Sequence, residues 1–307
     1  MMRWVVRALI WLTLLAVTYL GVGYVVAVQL SVPDRVPVTR TPQNYGLPFQ
    51  EVRLTSTDGL ELSGWWVPVE GAEWAAVLVH GKDSSKAAAY VLDTLPTYVH
   101  AGFSVLLLDL RGHGASEGTR LTLGYQEVRD VAGAVAWLEA RGYRRERVVL
   151  HGWSMGAATV LLAAPELQVG AVVEDSGYAD LPYLLRNALP EASGLPALFN
   201  PGIFLAARLF LDFDPWAVRP VRAARELYAR GVPLFILHGT ADETVPFVHA
   251  QMLQQAYPNA EFWALEGYAH VEAYKHPEYP RRLQAFLQGV QNAQLVAGTV
   301  RNGAGRR

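Results

Sequence analysis

From Trp74 onward the chain alternates apolar runs of strand length with segments of helix length, and this rhythm restricts the fold more than any other feature. The runs are "WAAVLVHG" (74–81), "FSVLLLDLRG" (103–112), "RVVLHG" (147–152), "VGAVVEDS" (169–176), "VPLFILHG" (232–239) and "AEFWALEG" (260–267). Helical stretches are expected near 85–100, 124–141 and 154–166. Alternation of this kind predicts a mostly parallel sheet covered by helices on both faces. Upstream, "FQEVRLTST" and "LELSGWWVPV" alternate polar and apolar residues around Asp58-Gly59. They read as an antiparallel hairpin, which brings the expected sheet to eight strands.

The rhythm breaks between Tyr178 and Arg230, where prolines stand at 182, 190, 196, 201, 215 and 220 around "LPALFNPGIFLAARLFLDF". A connection this long should carry structure of its own, and a helical cap over the strand ends is expected at about 178–230. The α/β domain is assigned to 49–290, and 291–307 is read as a flexible tail because it has little periodicity.

The N-terminus differs from the rest. Ala8 to Leu30 is a run of 23 uncharged residues, long enough at ~1.5 Å each to cross a ~30 Å hydrocarbon layer. Residues 1–30 are therefore expected to form a transmembrane anchor. Arg3 and Arg7 precede the run, which places the N-terminus in the cytoplasm and the bulk of the chain outside it. The alternative is a signal peptide cleaved after small residues such as Val25 and Ala27, with secretion of the remainder. Residues 31–48, with four prolines, read as an extended linker.

Composition narrows the chemistry. The 307 residues suffice for a large core, and the net charge of -2 gives no field suited to nucleic acid. There is no cysteine, hence no disulfide framework, thiolate nucleophile or cysteine-ligated metal.

Gly152-Trp153-Ser154-Met155-Gly156 matches G-x-S-x-G and lies between a strand and a helix, where a sharp turn exposes a serine hydroxyl. With this motif the chain resembles the α/β-hydrolase superfamily. The "HG" loop at 80–81, "DLRGHGASEG" (109–118), "HGTADETVP" (238–246) and "YAH" (268–270) extend the resemblance over about 49–290. Together they look most like bacterial membrane-anchored serine hydrolases related to ABHD and prolyl-oligopeptidase-type catalytic domains. No β-propeller precedes the domain, and the cap has no motif that matches a substrate.

The resemblance implies Ser154 as nucleophile, with an acid and then a histidine in loops after later strands. Asp242 follows "LFILHG", and His270 follows "FWALEG". The implied oxyanion donors are the backbone N–H groups of Met155 and Lys82. Asp175 is a rival acid, because some lipases of this fold place theirs at the end of the strand after the nucleophile. His276 is a rival base but is expected inside the final helix. Structural roles are expected for His100, His151, His238 and His249, and a turn-shaping role for His113.

The expected activity is hydrolysis of a carboxylic ester, thioester or related acyl bond through an acyl-enzyme, with no metal or organic cofactor required. Expected partners are a small-molecule or lipid-derived acyl substrate and, through the N-terminal helix, a membrane. A peptidase or amidase with the same triad is the nearest alternative. A catalytically silent, membrane-tethered binding module is the alternative from another class.

Overall fold

A computed structural model describes residues 1–304, with side chains as far as Gln294. Along the chain the elements are α1 (Met2–Leu30), β1 (Gln50–Thr55), β2 (Glu61–Val67), β3 (Trp74–Val79), α2 (Ala89–His100), β4 (Phe103–Leu108), α3 (Val128–Glu139), β5 (Val148–Trp153), α4 (Met155–Leu167) and β6 (Ala171–Asp175). They continue as α5 (Leu181–Ser193), α6 (Asn200–Phe210), α7 (Pro220–Arg230), β7 (Leu234–Gly239), α8 (Val248–Ala256), β8 (Glu261–Leu265) and α9 (Tyr279–Ala304).

The eight strands form one sheet in the order β1-β2-β4-β3-β5-β6-β7-β8. β1 and β2 pair antiparallel, as does β2 with β4, and every later pairing is parallel. The period of two along a strand divides the core. On one face Val77, Val79, Leu106, Leu108 and Leu150 pack with residues of α3, α4, α7 and α8. On the other, Leu78, Leu107, Val149 and Phe235 pack with residues of α2 and α9. Burial on both faces explains why these strands read as continuous apolar runs.

The expected cap divides in two. α7 buries Ala224 and Leu227 in the cluster that lies against the sheet. It is therefore the helix that carries the chain from β6 to β7. The cap itself is α5, α6 and the short turns around them. Asp180 caps α5 by accepting from the Tyr183 N–H at 2.9 Å and pairs with Arg219 at 2.9 Å, tying the cap's start to its return.

α1 is long and apolar enough to cross a membrane, a criterion that a signal sequence near the N-terminus also meets. Residues 1–18 are exposed, whereas from Tyr19 onward the helix packs on α6. The segment expected as an extended linker is held down at its start. Arg35 donates to the carbonyls of Gly114, Ser116 and Gly118 at 2.6, 2.9 and 3.0 Å, and the Asp34 N–H donates to Asp83 Oδ1 at 2.9 Å. At the other end, the segment from 291 that was expected as a tail continues α9 as far as Ala304. Residues 305–307 lie outside the described part.

Candidate active site

β5 delivers Ser154 to the carboxyl end of the sheet, next to β3 and β6, where open α/β sheets hold their ligands. The turn is tight. A Cβ on Gly152 would lie 2.2 Å from the Gly156 carbonyl oxygen, and one on Gly156 would lie 2.2 Å from that of Val79. Only glycine allows the strand, the turn and α4 to approach so closely. Ser154 itself adopts φ 54° and ψ −119°, a conformation that costs a non-glycine residue about 1–3 kcal/mol. The surroundings enforce it: the Ser154 N–H donates to the Asp175 carbonyl at 2.9 Å, and α4 is buried along most of its length.

Loops after β7 and β8 bring the other two predicted residues to this serine. His270 Nε2 lies 2.9 Å from Ser154 Oγ, and His270 Nδ1 lies 2.7 Å from Asp242 Oδ2. With Nδ1–H donating to the carboxylate, Nε2 is left to accept the serine proton. Asp242 Oδ1 accepts from the backbone N–H groups of Thr244 and Val245 at 2.9 and 2.8 Å. Burial pushes the Asp242 carboxyl upward, but hydrogen bonds from His238 and His270 outweigh it and hold the group at about 2. The carboxylate is thus ionised wherever an imidazolium needs a counter-charge.

The rivals lie elsewhere. Asp175 is fully buried and accepts from Ser176 Oγ at 2.8 Å, and Ser176 Oγ accepts from the Val271 N–H at 3.2 Å. It therefore supports the loop that carries His270 without bonding the imidazole. His276 precedes α9 instead of lying within it and packs on Trp263 and Tyr268. His151 stacks on Trp153 with centroids 3.9 Å apart, and His249 accepts from the Ala179 N–H at 3.2 Å. His238, expected to be structural, belongs to the site. Its Nε2 donates to the Val245 carbonyl at 2.7 Å and lies 3.3 Å from Asp242 Oδ2. In sequence it is one more histidine in a strand, and only the turn after β7 folds it onto the acid.

The two expected oxyanion donors border the same space as Ser154. Neither the Lys82 nor the Met155 backbone N–H donates to another group among the described residues. The Lys82 ammonium pairs with Asp83. Two buried histidines hold the loop that presents Lys82. His80 Nδ1 donates to the Gly81 carbonyl at 2.7 Å and Nε2 accepts from the Leu110 N–H at 3.1 Å. His113 Nδ1 donates to the Arg111 carbonyl at 2.9 Å and Nε2 accepts from the Asp83 N–H at 3.3 Å. Each role requires a neutral ring, and burial pushes both imidazoles down, His80 to about 3.

This sets a pH dependence. His80 titrates near 6.5 in the unfolded chain and about 3 in the folded one. Below about pH 6.5 only the unfolded chain takes up the proton, so stability is fully present above that value and falls as the pH drops toward 3, by up to ~1.4 kcal/mol per unit. Urea unfolding at pH 7 and pH 5 should show the wild type losing about 1–2 kcal/mol more than His80→Gln. Equal losses in the two proteins would contradict the neutral ring.

Ser154 stands between two depressions. One, of about 470 Å³, is lined by apolar groups including Leu121, Leu123, Leu185, Ile203, Phe204 and Phe213. The other, of about 400 Å³, is bordered by Lys82, Asp83, Ser84, Tyr90, Glu272 and Lys275. The apolar one also touches Ala27, Leu30 and Ser31 at the end of α1, a contribution that nothing in the sequence pattern foretells.

A model described as the alpha/beta hydrolase family matches residues 76–283. The chain belongs to that family. Among relatives of this α/β hydrolase, the YfhR protein of Salmonella typhi is 26% identical over 265 residues, covering 80% of this chain and 82% of its own. The lysophosphatidylserine lipase ABHD12 of Mus musculus is 25% identical over 290 residues, covering 85% of this chain and 70% of its own. Among solved structures, the esterase Pf2001 of Pyrococcus furiosus superimposes with a TM-score of 0.68 at 25% identity, over 84% of this chain and 97% of that one. Fold and relatives together support a hydrolase- or esterase-type activity with a Ser/His/Asp-like arrangement. They identify the family without separating an ABHD-like from an oligopeptidase-like subtype.

Proposed function

We propose that the protein is a serine hydrolase that cleaves a carboxylic ester with an apolar acyl chain and a polar leaving group. The observation that carries this reading is the chain of contacts Ser154 Oγ, His270 Nε2, His270 Nδ1 and Asp242 Oδ2, at 2.9 and 2.7 Å, beside the Lys82 and Met155 backbone N–H groups, which have no acceptor among the described residues.

His270 Nε2 accepts the Ser154 proton as Oγ attacks the carbonyl carbon, and Asp242 balances the resulting imidazolium. The Lys82 and Met155 N–H groups donate to the oxyanion, an interaction worth ~3–4 kcal/mol per donor in comparable sites. Collapse of the tetrahedral adduct expels the alcohol, which takes its proton from His270. Water, deprotonated by the same imidazole, then releases the acid from the acyl-enzyme.

The two depressions support the choice of substrate. The acyl chain fits the apolar pocket walled by Leu123, Leu185 and Phe204, and the alcohol faces the polar cleft with Lys82 and Lys275. Similarity to a lysophosphatidylserine lipase fits a lipid monoester of this shape. In the same reading α1 is kept as a membrane anchor with its N-terminus cytoplasmic, because Arg3 and Arg7 precede the apolar run.

The test is a substrate series at constant headgroup. Hydrolysis should rise at least tenfold in kcat/KM from acetyl to long-chain acyl p-nitrophenyl esters, with the matching anilides turned over at least a hundredfold more slowly. Faster cleavage of the anilides would establish the amidase alternative, and inertness toward both series would favour a binding module.

A further inference from the structure

We infer that the last turns of α1 and the cap helix α6 lie within the outer half of the bilayer's hydrocarbon layer, so that an acyl chain enters the pocket sideways from the membrane. The inference rests on the hydrolase and anchor readings above. It adds that the anchor forms part of the substrate site.

The first observation concerns length. The charge-free run begins at Ala8, and α1 is free of the domain only as far as Thr18. Those 11 residues span ~16 Å at 1.5 Å each, roughly half of a ~30 Å hydrocarbon layer. The remaining ~14 Å must come from about nine more residues, Tyr19 to Ala27. This is the stretch packed on the cap, and helix tilt would only lengthen the requirement. A span anchored at Arg7 therefore draws α6 into the layer with it.

The second observation is how closely the two helices are joined. A Cβ on Gly23 would lie 2.6 Å from the Gly202 carbonyl carbon and oxygen, so the backbones cross in direct contact. Tyr19 Oη donates to the Leu198 carbonyl at 2.6 Å and accepts from the Gly202 N–H at 3.1 Å. The lower end of α1 is pinned as well: the Leu121 N–H donates to the Ser31 carbonyl at 2.7 Å, next to the Arg35 clamp. Cap and anchor are joined backbone to backbone.

The third observation is the two-sidedness of α6. Ile203, Phe204 and Ala207 line the pocket, while Leu205, Leu209 and Phe210 are exposed on the helix at 38, 57 and 58%. An apolar outer face next to an apolar inner one suits a wall between lipid and acyl pocket. The helix carries one charged residue, Arg208, and it is paired with Asp214 at 3.4 Å, which reduces the cost of immersion. On the same wall, Ala27 and Leu30 of α1 border the pocket, so cleavage after residue 30 would open it.

The chain contains no cysteine, so Leu209→Cys gives a single position for a fluorescent label. In the full-length protein reconstituted into phosphatidylcholine vesicles, nitroxides on the lipid acyl chains should quench this label at least fivefold more than one at Arg144→Cys, which precedes β5 at the amino end of the parallel strands, opposite the end that carries Ser154. Aqueous iodide should do the reverse. Iodide quenching at position 209 equal to that at 144 would overturn the inference. Shielding from both quenchers, together with a dimer in detergent, would overturn it in favour of a second copy covering the face. As a functional arm, Leu209→Asp should slow hydrolysis of a long-chain monoacyl ester in vesicles at least tenfold and leave p-nitrophenyl acetate turnover unchanged. Unchanged rates on both substrates would also overturn it. A wild type inert toward both esters would sink the hydrolase reading, while the label would still decide the placement of α6.

Discussion

Ser154→Ala is expected to lower kcat by on the order of 10^4-fold or more and to abolish labelling by a fluorophosphonate probe, with KM little changed. The size follows from the proposed chemistry: without Oγ no acyl-enzyme forms, and what remains is the rate enhancement from binding and from the oxyanion donors. Alanine is also tolerated structurally, since Ser154 Oγ bonds only to His270 among the described residues. Removing the side chain leaves the buried β5–α4 turn intact, so loss of activity with unchanged thermal unfolding would separate chemistry from folding. Persistent labelling of Ser154→Ala would place the nucleophile elsewhere.

The next largest effect is expected at the acid. Asp242→Asn preserves shape but removes the charge and presents an amide to His270 Nδ1, favouring the wrong tautomer, a change that costs about 10^4-fold in kcat in an analogous triad. Asp175→Asn is the control. Its carboxylate accepts from Ser176, and burial pushes it up to about 6. The amide can still accept from Ser176, so activity should fall less than tenfold. The contrast is read from the kcat of purified proteins at pH 8, where the wild-type Asp175 is ionised. A loss at Asp175 equal to that at Asp242 would reassign the acid. His238 gives a further handle, because the Asp242 carboxylate is bordered by two imidazoles instead of one.

Several features of the site are legible in the sequence because they depend on local order. Six of the eight strands follow from apolar runs of the right length, and the other two from the alternating hairpin around Asp58-Gly59. The resemblance to the α/β-hydrolase superfamily implies Ser154, Asp242 and His270 as nucleophile, acid and base, and each stands just after one of those runs, where a parallel sheet sets its carboxyl ends side by side. The resemblance implies Lys82 and Met155 as well, each shortly after a strand that ends beside the serine. What resisted such reading was whatever depends on the partner across a gap. His238 looked like any strand histidine until the 242–245 turn folded Asp242 against it. A turn-shaping role is expected for His113, but no sequence pattern pairs it with His80, whose ring lies 5.0 Å away, so that the two hold the Lys82 loop from beneath. The cap expected at about 178–230 takes in α7, which opens with proline like its neighbours and which only its burial against α4 and α8 assigns to the sheet.

The sequence by itself determined the fold class, the alternation of strands and helices and, through motifs that resemble the α/β-hydrolase superfamily, three candidate catalytic side chains, because periodicity and the residues next to strand ends are local features. Only the tertiary structure decided which walls surround the serine. The N-terminal helix is 124 positions upstream of Ser154, counting from Leu30, yet its last turn borders the same pocket. No local pattern carries that information. It arises because two glycines, 23 and 202, let a distant helix cross the cap in backbone contact, and close packing between remote segments is a property of the folded chain alone.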